Sequence, residues 1–219
     1  MKSILFCAYR DWAIEIYDKV SASSQGEGQF FLWKTKDGLS GAIKDYDPDL
    51  IFFIGWSWMV PSSIIHSREC ICLHPSPLPL YRGGSPIQHQ VINGESYSAV
   101  TIFKMDEGMD TGPILFQKEF SLGGTLGDIF NRIKGVGITG VKTIVQGNYQ
   151  STPQDDQRSS SFKRRTKDMS EININDFNAH TATEIFNKVR CLQDPYPLPF
   201  VVCKDNTKLY LKEVTVGND

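Results

Sequence analysis

Leu50-Ile51-Phe52-Phe53-Ile54 is an unbroken apolar run of strand length, preceded by the turn residues Asp47-Pro48-Asp49 and followed by Gly55. A strand with one wet face alternates, whereas a run apolar at every position suits a strand covered on both faces, as in a parallel sheet under helices. Upstream, Ser3–Ala8 reads as a first strand, Trp12–Val20 as a helix and Gly28–Trp33 as a second strand. Downstream, Pro61-Ser62-Ser63 opens a short helix to about His66, and Cys70–His74 is another short strand. Pro75, Pro77, Pro79, Gly83 and Gly84 then force a loop. A helix begins at Pro86, with Ser85 as its expected cap. Ser98–Met105 and Ile114–Phe120 read as strands across a Gly-rich turn, and Leu126–Val145 as a helix weakened in its middle by Gly135, Gly137 and Gly140.

This alternation predicts an α/β domain with a mostly parallel twisted sheet over residues 1–149. Residues 150–219 read as an extension: a polar linker or surface strap over Gln150–Ser161, a helix over Thr183–Arg190, and a β-hairpin from Phe200–Cys203 and Lys208–Val214. No Gly-x-Gly-x-x-Gly follows the first strand, which counts against a dinucleotide site there.

The 219 residues carry a net charge of −2, with 40% hydrophobic and 22% charged residues. Nothing in that balance is an electrostatic footprint for a polyanion, so no nucleic-acid partner is expected. No apolar run is long enough to span a bilayer, and Arg10-Asp11 interrupts the apolar start too early for a signal peptide. Five cysteines, an odd number without a leader, point to reduced thiols in the cytoplasm.

The chemistry concentrates in Cys72-Leu73-His74-Pro75-Ser76-Pro77-Leu78-Pro79-Leu80-Tyr81-Arg82-Gly83-Gly84-Ser85-Pro86-Ile87-Gln88 and in Met105-Asp106-Glu107-Gly108-Met109-Asp110-Thr111-Gly112. His74 falls at the C-terminal end of a buried strand, the edge at which open α/β sheets bind ligands. Asp110 falls in another turn, and the two on adjacent loops at one sheet edge would make an acid–base pair. The bland alternative is a His74 that merely bonds a loop carbonyl. Cys70, Cys72 and His74 alternate along one strand face, which leaves a zinc site as rival chemistry, although no second Cys/His cluster supports it. No metal is expected. His66, His89 and His180 show no partner pattern and read as surface or helix histidines.

These linked motifs, over about residues 48–120, resemble the folate-dependent formyltransferase family. The family's pattern is Asn-x-His-Pro/Gly-Ser-x-Leu-Pro, then Arg-Gly and Pro-Ile-Gln, then Met-Asp-x-Gly-x-Asp-x-Gly. The resemblance implies a Rossmann-like formyltransferase fold, with N10-formyltetrahydrofolate as co-substrate and His74 and Asp110 as catalytic pair. It implies a cofactor wall from Trp56, Ser57, Trp58, Met59, Asp106, Gly108 and Asp110. Contacts to the acceptor are expected from Ser76, Leu78, Arg82, Gly83, Lys163 and Arg164. Cys72 departs from the pattern, standing where relatives have an Asn that donates to the developing oxyanion. A thiol is a weak donor. Either His74 and backbone N–H groups carry that charge, or Cys72 acts as a thiolate nucleophile, or activity is impaired.

The region Phe162-Lys163-Arg164-Arg165, with Asp194-Pro195-Tyr196-Pro197, resembles bacterial nucleotide-sugar N-formyltransferases, among them those of the pseudaminic acid pathway. The implied acceptor is the primary amine of a nucleotide-linked amino sugar, and a homodimer is left open. Members acting on initiator tRNA carry a larger, basic C-terminal domain. The alternatives are a non-catalytic folate- or nucleotide-sugar-binding relative, which is a reading from a different class, and formylation of another small amine, on an amino acid or peptide carrier before methionyl-tRNA.

Overall fold

The computed structural model describes residues 2–217. In chain order the first part comprises β1 (Lys2–Cys7), α1 (Asp11–Ser23), β2 (Gly28–Trp33), α2 (Leu39–Tyr46), β3 (Leu50–Ile54) and α3 (Ser62–Ser67). There follow β4 (Glu69–His74), the two-residue β5 (Arg82–Gly83), α4 (Pro86–Ile92), β6 (Tyr97–Lys104), β7 (Ile114–Ser121) and α5 (Leu126–Val145). Six strands make one sheet in the order β2-β1-β3-β4-β6-β7. The first four run parallel, and β6 and β7 are antiparallel to their neighbours. Every residue of β3 is buried, as its unbroken apolar run requires.

The two faces of the sheet carry separate cores. Ile4, Phe6, Phe52, Ile54, Ile71 and Leu73 pack under α1 and α5. Leu5, Cys7, Ile51, Phe53 and Cys70 pack under α2 and α3. Fully burying one such Leu, Ile or Phe contributes about 1.5–3 kcal/mol. Helix α2 escapes the sequence pattern because it is short and turns only Leu39, Ala42 and Ile43 inward.

Two expectations about helices need correction. Gly137 and Gly140 are sites of close packing that α5 requires. A Cβ on Gly140 would lie 2.6 Å from the Phe116 ring and 2.7 Å from Ile102, and one on Gly137 would lie 2.9 Å from Ile16. Gly135 alone faces open space. Ser85 does not cap α4 with its side chain. It sits at φ 54°, and its hydroxyl accepts from the Arg165 amide instead.

After α5 the chain forms β8 (Ser161–Phe162), α6 (Asp176–Ala179), α7 (Ala182–Cys191), β9 (Phe200–Val202) and β10 (Lys208–Tyr210). The hairpin β9–β10 is antiparallel, and its second strand stops at Tyr210 rather than Val214. The last helix on the sheet, α5, ends at Val145, but the core beneath it draws on later residues. Cys191 and Leu192 join the α1/α5 core, and Tyr196 stacks on Phe130 at 6.3 Å. Residues 150–162 are a strap: Thr152 bridges to Ile114, and β8 pairs with β5. No helix among the described residues is long and apolar enough to cross a membrane.

Candidate active site

β4 delivers His74 to the sheet edge, and the chain turns at once, with the Ser76 amide donating to the His74 carbonyl at 3.0 Å. The proline loop is pinned from within. Thr101, opposite His74 on β6, donates its hydroxyl to Ser76 O at 2.6 Å and accepts from Gln117 Nε2 at 2.8 Å. Gln117 also donates to Leu78 O at 2.9 Å, and the Ser76 hydroxyl donates to Leu80 O at 2.8 Å. Gln90 Nε2 holds the carbonyls of Pro75 and Pro86. Ser76 and Leu78 are consequently buried inside the loop they shape and present no side chain to an acceptor, contrary to the sequence reading.

The His74 side chain is 8% exposed. Its Nε2 lies 2.9 Å from the Tyr81 carbonyl. A carbonyl only accepts, so Nε2 carries the hydrogen and Nδ1 is the nitrogen free to exchange a proton. Nδ1 faces Asp110 Oδ2 at 3.5 Å, longer than a made hydrogen bond. The same Oδ2 accepts from the Gly83 amide at 2.8 Å. Gly83 thus enters the site through its backbone, and a Cβ there would lie 2.4 Å from Phe162 O.

Asp110 reaches His74 from an unexpected direction. Lys104 pairs with Ile71 while Thr101 pairs with His74, so the β6–β7 connection leaves the sheet about 10 Å from His74 at the usual rise per residue. The connection doubles back over the Cys72 face of β4. Met105 packs against the same buried cluster as Cys72 and Trp56, and its amide donates to Cys70 O at 2.8 Å. His74 and Asp110 therefore do not leave the sheet at one edge; the loop carries Asp110 back. Tyr81, Ser85 and Asp110 all hold positive φ (60°, 54° and 56°). A non-glycine residue there costs about 1–3 kcal/mol, and such strain clusters at functional sites.

Cys72 is partly buried, and desolvation, followed by the negative charge of Asp110, pushes its thiol well above the ordinary value. That environment opposes a thiolate nucleophile. Cys70 packs in the core with its thiol pushed up to about 12, chiefly by desolvation, and no group of three or more His, Cys, Asp or Glu converges among the described residues.

An aromatic wall stands beside the pair. Tyr9 lies 4.5 Å from Trp58 and 6.2 Å from Trp56, and the two indoles meet edge-on at 4.7 Å. Met59 and Met109 are 77% and 56% exposed. Among the described residues, the backbone amides of Ser57, Trp58 and Met59 find no protein acceptor. A flat heteroaromatic ring with polar edges fits such a surface, where stacking and amide donors are both on offer. Asp106 is tied within its own turn, accepting from the Gly108 amide and the Thr111 hydroxyl.

The remaining expected residues divide. Arg82 is buried, and its Nε and Nη2 are held by Gln154 and Asp156, which turns the guanidinium to a structural task rather than to the expected acceptor contact. Lys163 and Arg164 are exposed, and Arg164 reaches the Ser57 carbonyl at 3.4 Å. His89 is a helix histidine, buried in α4, and it bonds the Lys163 carbonyl at 2.9 Å, which anchors the chain that follows the strap. Sequence reasoning missed Tyr9, Arg10, Tyr81 and Gln154. Arg10 lies over the Tyr9 and Tyr196 rings and reaches the Ser57 hydroxyl at 3.3 Å. Tyr81 acts through a backbone carbonyl, for which no side-chain signal exists.

The formyl transferase family model matches residues 33–143. A methionyl-tRNA formyltransferase from Lachnospira eligens is 33% identical over 207 residues, covering 91% of this chain and 62% of that relative; the chain thus spans about three fifths of the relative's length. Among solved structures, methionyl-tRNA formyltransferase from Clostridium thermocellum superposes with a TM-score of 0.84 at 24% identity, covering 99% of this chain and all of that one. A sugar N-formyltransferase from a Shewanella species gives 0.79 at 17% identity, covering 99% and 98%. These two likenesses show the Rossmann-like fold.

Proposed function

We propose, from the premise that this chain belongs to the formyl transferase family, that it transfers a formyl group from N10-formyltetrahydrofolate to a primary amine. The observation that carries this reading is the division of labour at His74. Nε2 is committed to the Tyr81 carbonyl, and Nδ1 faces a partly buried carboxylate 3.5 Å away. The bound folate supplies the formyl carbon and a nitrogen leaving group. His74 Nδ1 takes the proton that the attacking amine must lose and hands it to the departing nitrogen, and Asp110 stabilises the imidazolium that exists between the two transfers. Once charged, Nδ1–H becomes a donor toward the site, which stands in for the oxyanion donor that Cys72 does not provide. Tyr9, Trp56, Trp58 and Met59 form the face for the pterin, with Met109, Gly108 and Asp106 on the opposite loop.

For the acceptor we infer the amine of a nucleotide-linked amino sugar. The exposed Lys163 and Arg164 beside Ser57 provide a small cationic surface suited to a diphosphate, whereas the net charge of −2 gives no broad footprint for a polynucleotide. The reading also rests on the resemblance of Phe162–Arg165 and Asp194–Pro197 to sugar enzymes. A second reading, methionyl-tRNA as acceptor, is favoured by the 33% identity to the Lachnospira enzyme. One experiment separates them: incubate the protein with N10-formyltetrahydrofolate and either UDP-, GDP- and dTDP-linked amino sugars or charged initiator tRNA, and weigh the products. Formylation of a sugar nucleotide supports the first reading, and formylation of methionyl-tRNA alone replaces it by the second. Cofactor binding with no product from any acceptor would leave a binding protein.

A further inference from the structure

One amide side chain ties the two halves of the site together. Gln154, in the strap that follows the sheet domain, accepts from Arg82 Nε at 3.2 Å and from Arg82 Nη2 at 2.8 Å through its Oε1. Its Nε2 donates to the carbonyl of Asp110 at 2.9 Å and to that of Gly112 at 2.7 Å. The amide can sit only this way round, because the flipped group would set its N–H bonds against the guanidinium and its oxygen against two carbonyls. Arg82 follows Tyr81, whose carbonyl orients His74, and precedes Gly83, whose amide holds the Asp110 carboxylate. The strap grips the same loop a second time. The Tyr81 amide donates to the Ser160 hydroxyl and the Arg82 amide to the Ser160 carbonyl, both at 2.9 Å.

We propose that Gln154 is a positioning residue for the transfer reaction, holding Asp110 in its left-handed conformation and in register with His74. The proposal rests on the formyl-transfer reading. Asp110 arrives on a long loop and stands at φ 56°, a conformation that its surroundings must impose. On the loop side, the two Gln154 donor bonds impose it at the backbone, next to the reacting carboxylate. Arg82, itself held by Asp156 at 2.7 Å, keeps the amide turned correctly. Gln154 touches no reacting atom, so its removal should disturb geometry at His74 and leave the aromatic wall intact.

The test compares Gln154→Leu, Gln154→Glu and a strap control, Gln157→Ala, by formyl-transfer kinetics and by ¹⁵N NMR of the His74 ring. Loss of alignment on this scale lowers kcat about 30- to 100-fold. That loss is expected in Gln154→Leu, with KM for the folate changed less than about threefold because the pterin face is untouched. Gln154→Glu keeps an acceptor for Arg82 but has no donor for the two carbonyls, so it is expected to fail like Leu. Gln157→Ala should match wild type. The His74 ¹⁵N signals should move in both Gln154 variants without any substrate present. Wild-type kcat in Gln154→Leu, full rescue in Gln154→Glu, or unmoved His74 signals would each overturn the proposal. If the wild-type protein transfers no formyl group, the functional reading falls, and the NMR comparison still decides what Gln154 does.

Discussion

The two walls of the site are built on opposite plans. The wall at residues 74–83 is largely closed: Thr101, Gln117, Gln90 and Ser160 bond its carbonyls and amides, and His74, Ser76, Leu78, Tyr81 and Arg82 are all buried. The wall at residues 56–59 is open, with two edge-on indoles, a Met59 that is 77% exposed and amides with no protein partner among the described residues. Under the proposed function, the difference separates two kinds of work. A proton must move between atoms fixed beforehand, because misplacement by even an ångström is costly in rate. A cofactor that comes and goes needs surface and unpaired donors that it can satisfy itself.

If this division holds, substitutions on the closed wall strike turnover and those on the open wall strike binding. The largest effect belongs to His74→Ala, expected to lower kcat about 10³- to 10⁴-fold, with Asp110→Asn about 10²- to 10³-fold, in proteins whose circular dichroism is unchanged. Substantial turnover in either would remove the assigned roles. Trp58→Ala should instead raise the dissociation constant for tetrahydrofolate about tenfold with a smaller change in kcat. A kcat collapse at constant affinity would show that the open wall takes part in the chemistry.

Cys72 lies between the walls and sharpens the contrast. Its thiol is held in the neutral form by burial and by Asp110. Cys72→Ala should therefore keep kcat within about threefold, since a neutral thiol donates weakly. An inactive Cys72→Ala protein, or a formyl thioester trapped at Cys72, would establish the nucleophile instead.

Away from the site, effects fall to the scale of packing. Gly135→Ala should stabilise the fold by about 0.5–1 kcal/mol through helix propensity. Gly140→Ala should destabilise it by about 1–2 kcal/mol, because Phe116 and Ile102 occupy the space its methyl needs. Equal shifts in urea midpoint would deny the packing role. A separate effect appears only in alkali. Desolvation chiefly raises the Cys70 thiol to about 12, while an unfolded thiol ionises near 9. The unfolded chain binds fewer protons between those limits, so stability falls there as pH rises, by about 1.4 kcal/mol per unit for this thiol. The melting temperature of Cys70→Ala should decline less steeply above pH 9 than that of wild type, and parallel declines would refute the assignment.

The fold was legible because its deciding features are periodic. The run Leu50–Ile54 announced a strand covered on both sides, and the ends of α5 matched its sequence pattern to the residue. The glycines of α5 misled because propensity is local, whereas their purpose is set by Phe116, Ile102 and Ile16 from elsewhere in the chain. At the proposed site, the motifs point to His74 and Asp110, but the sequence is silent about what orients them. Tyr81 works through a carbonyl, Gln154 lies in a polar stretch that reads as linker, and the loop bearing Asp110 returns across the sheet face. Arg82 was misjudged for the same reason: an arginine beside a site suggests a free cation until Gln154 and Asp156 are seen to hold it.

The most direct measurement is ¹⁵N NMR of the His74 imidazole across pH, in the free protein and with tetrahydrofolate bound. A hydrogen retained on Nε2 throughout, with Nδ1 as the nitrogen that gains and loses its proton, is the expected result. A His74 that keeps its hydrogen on Nδ1 and exchanges at Nε2 would contradict the arrangement on which the proposed chemistry stands.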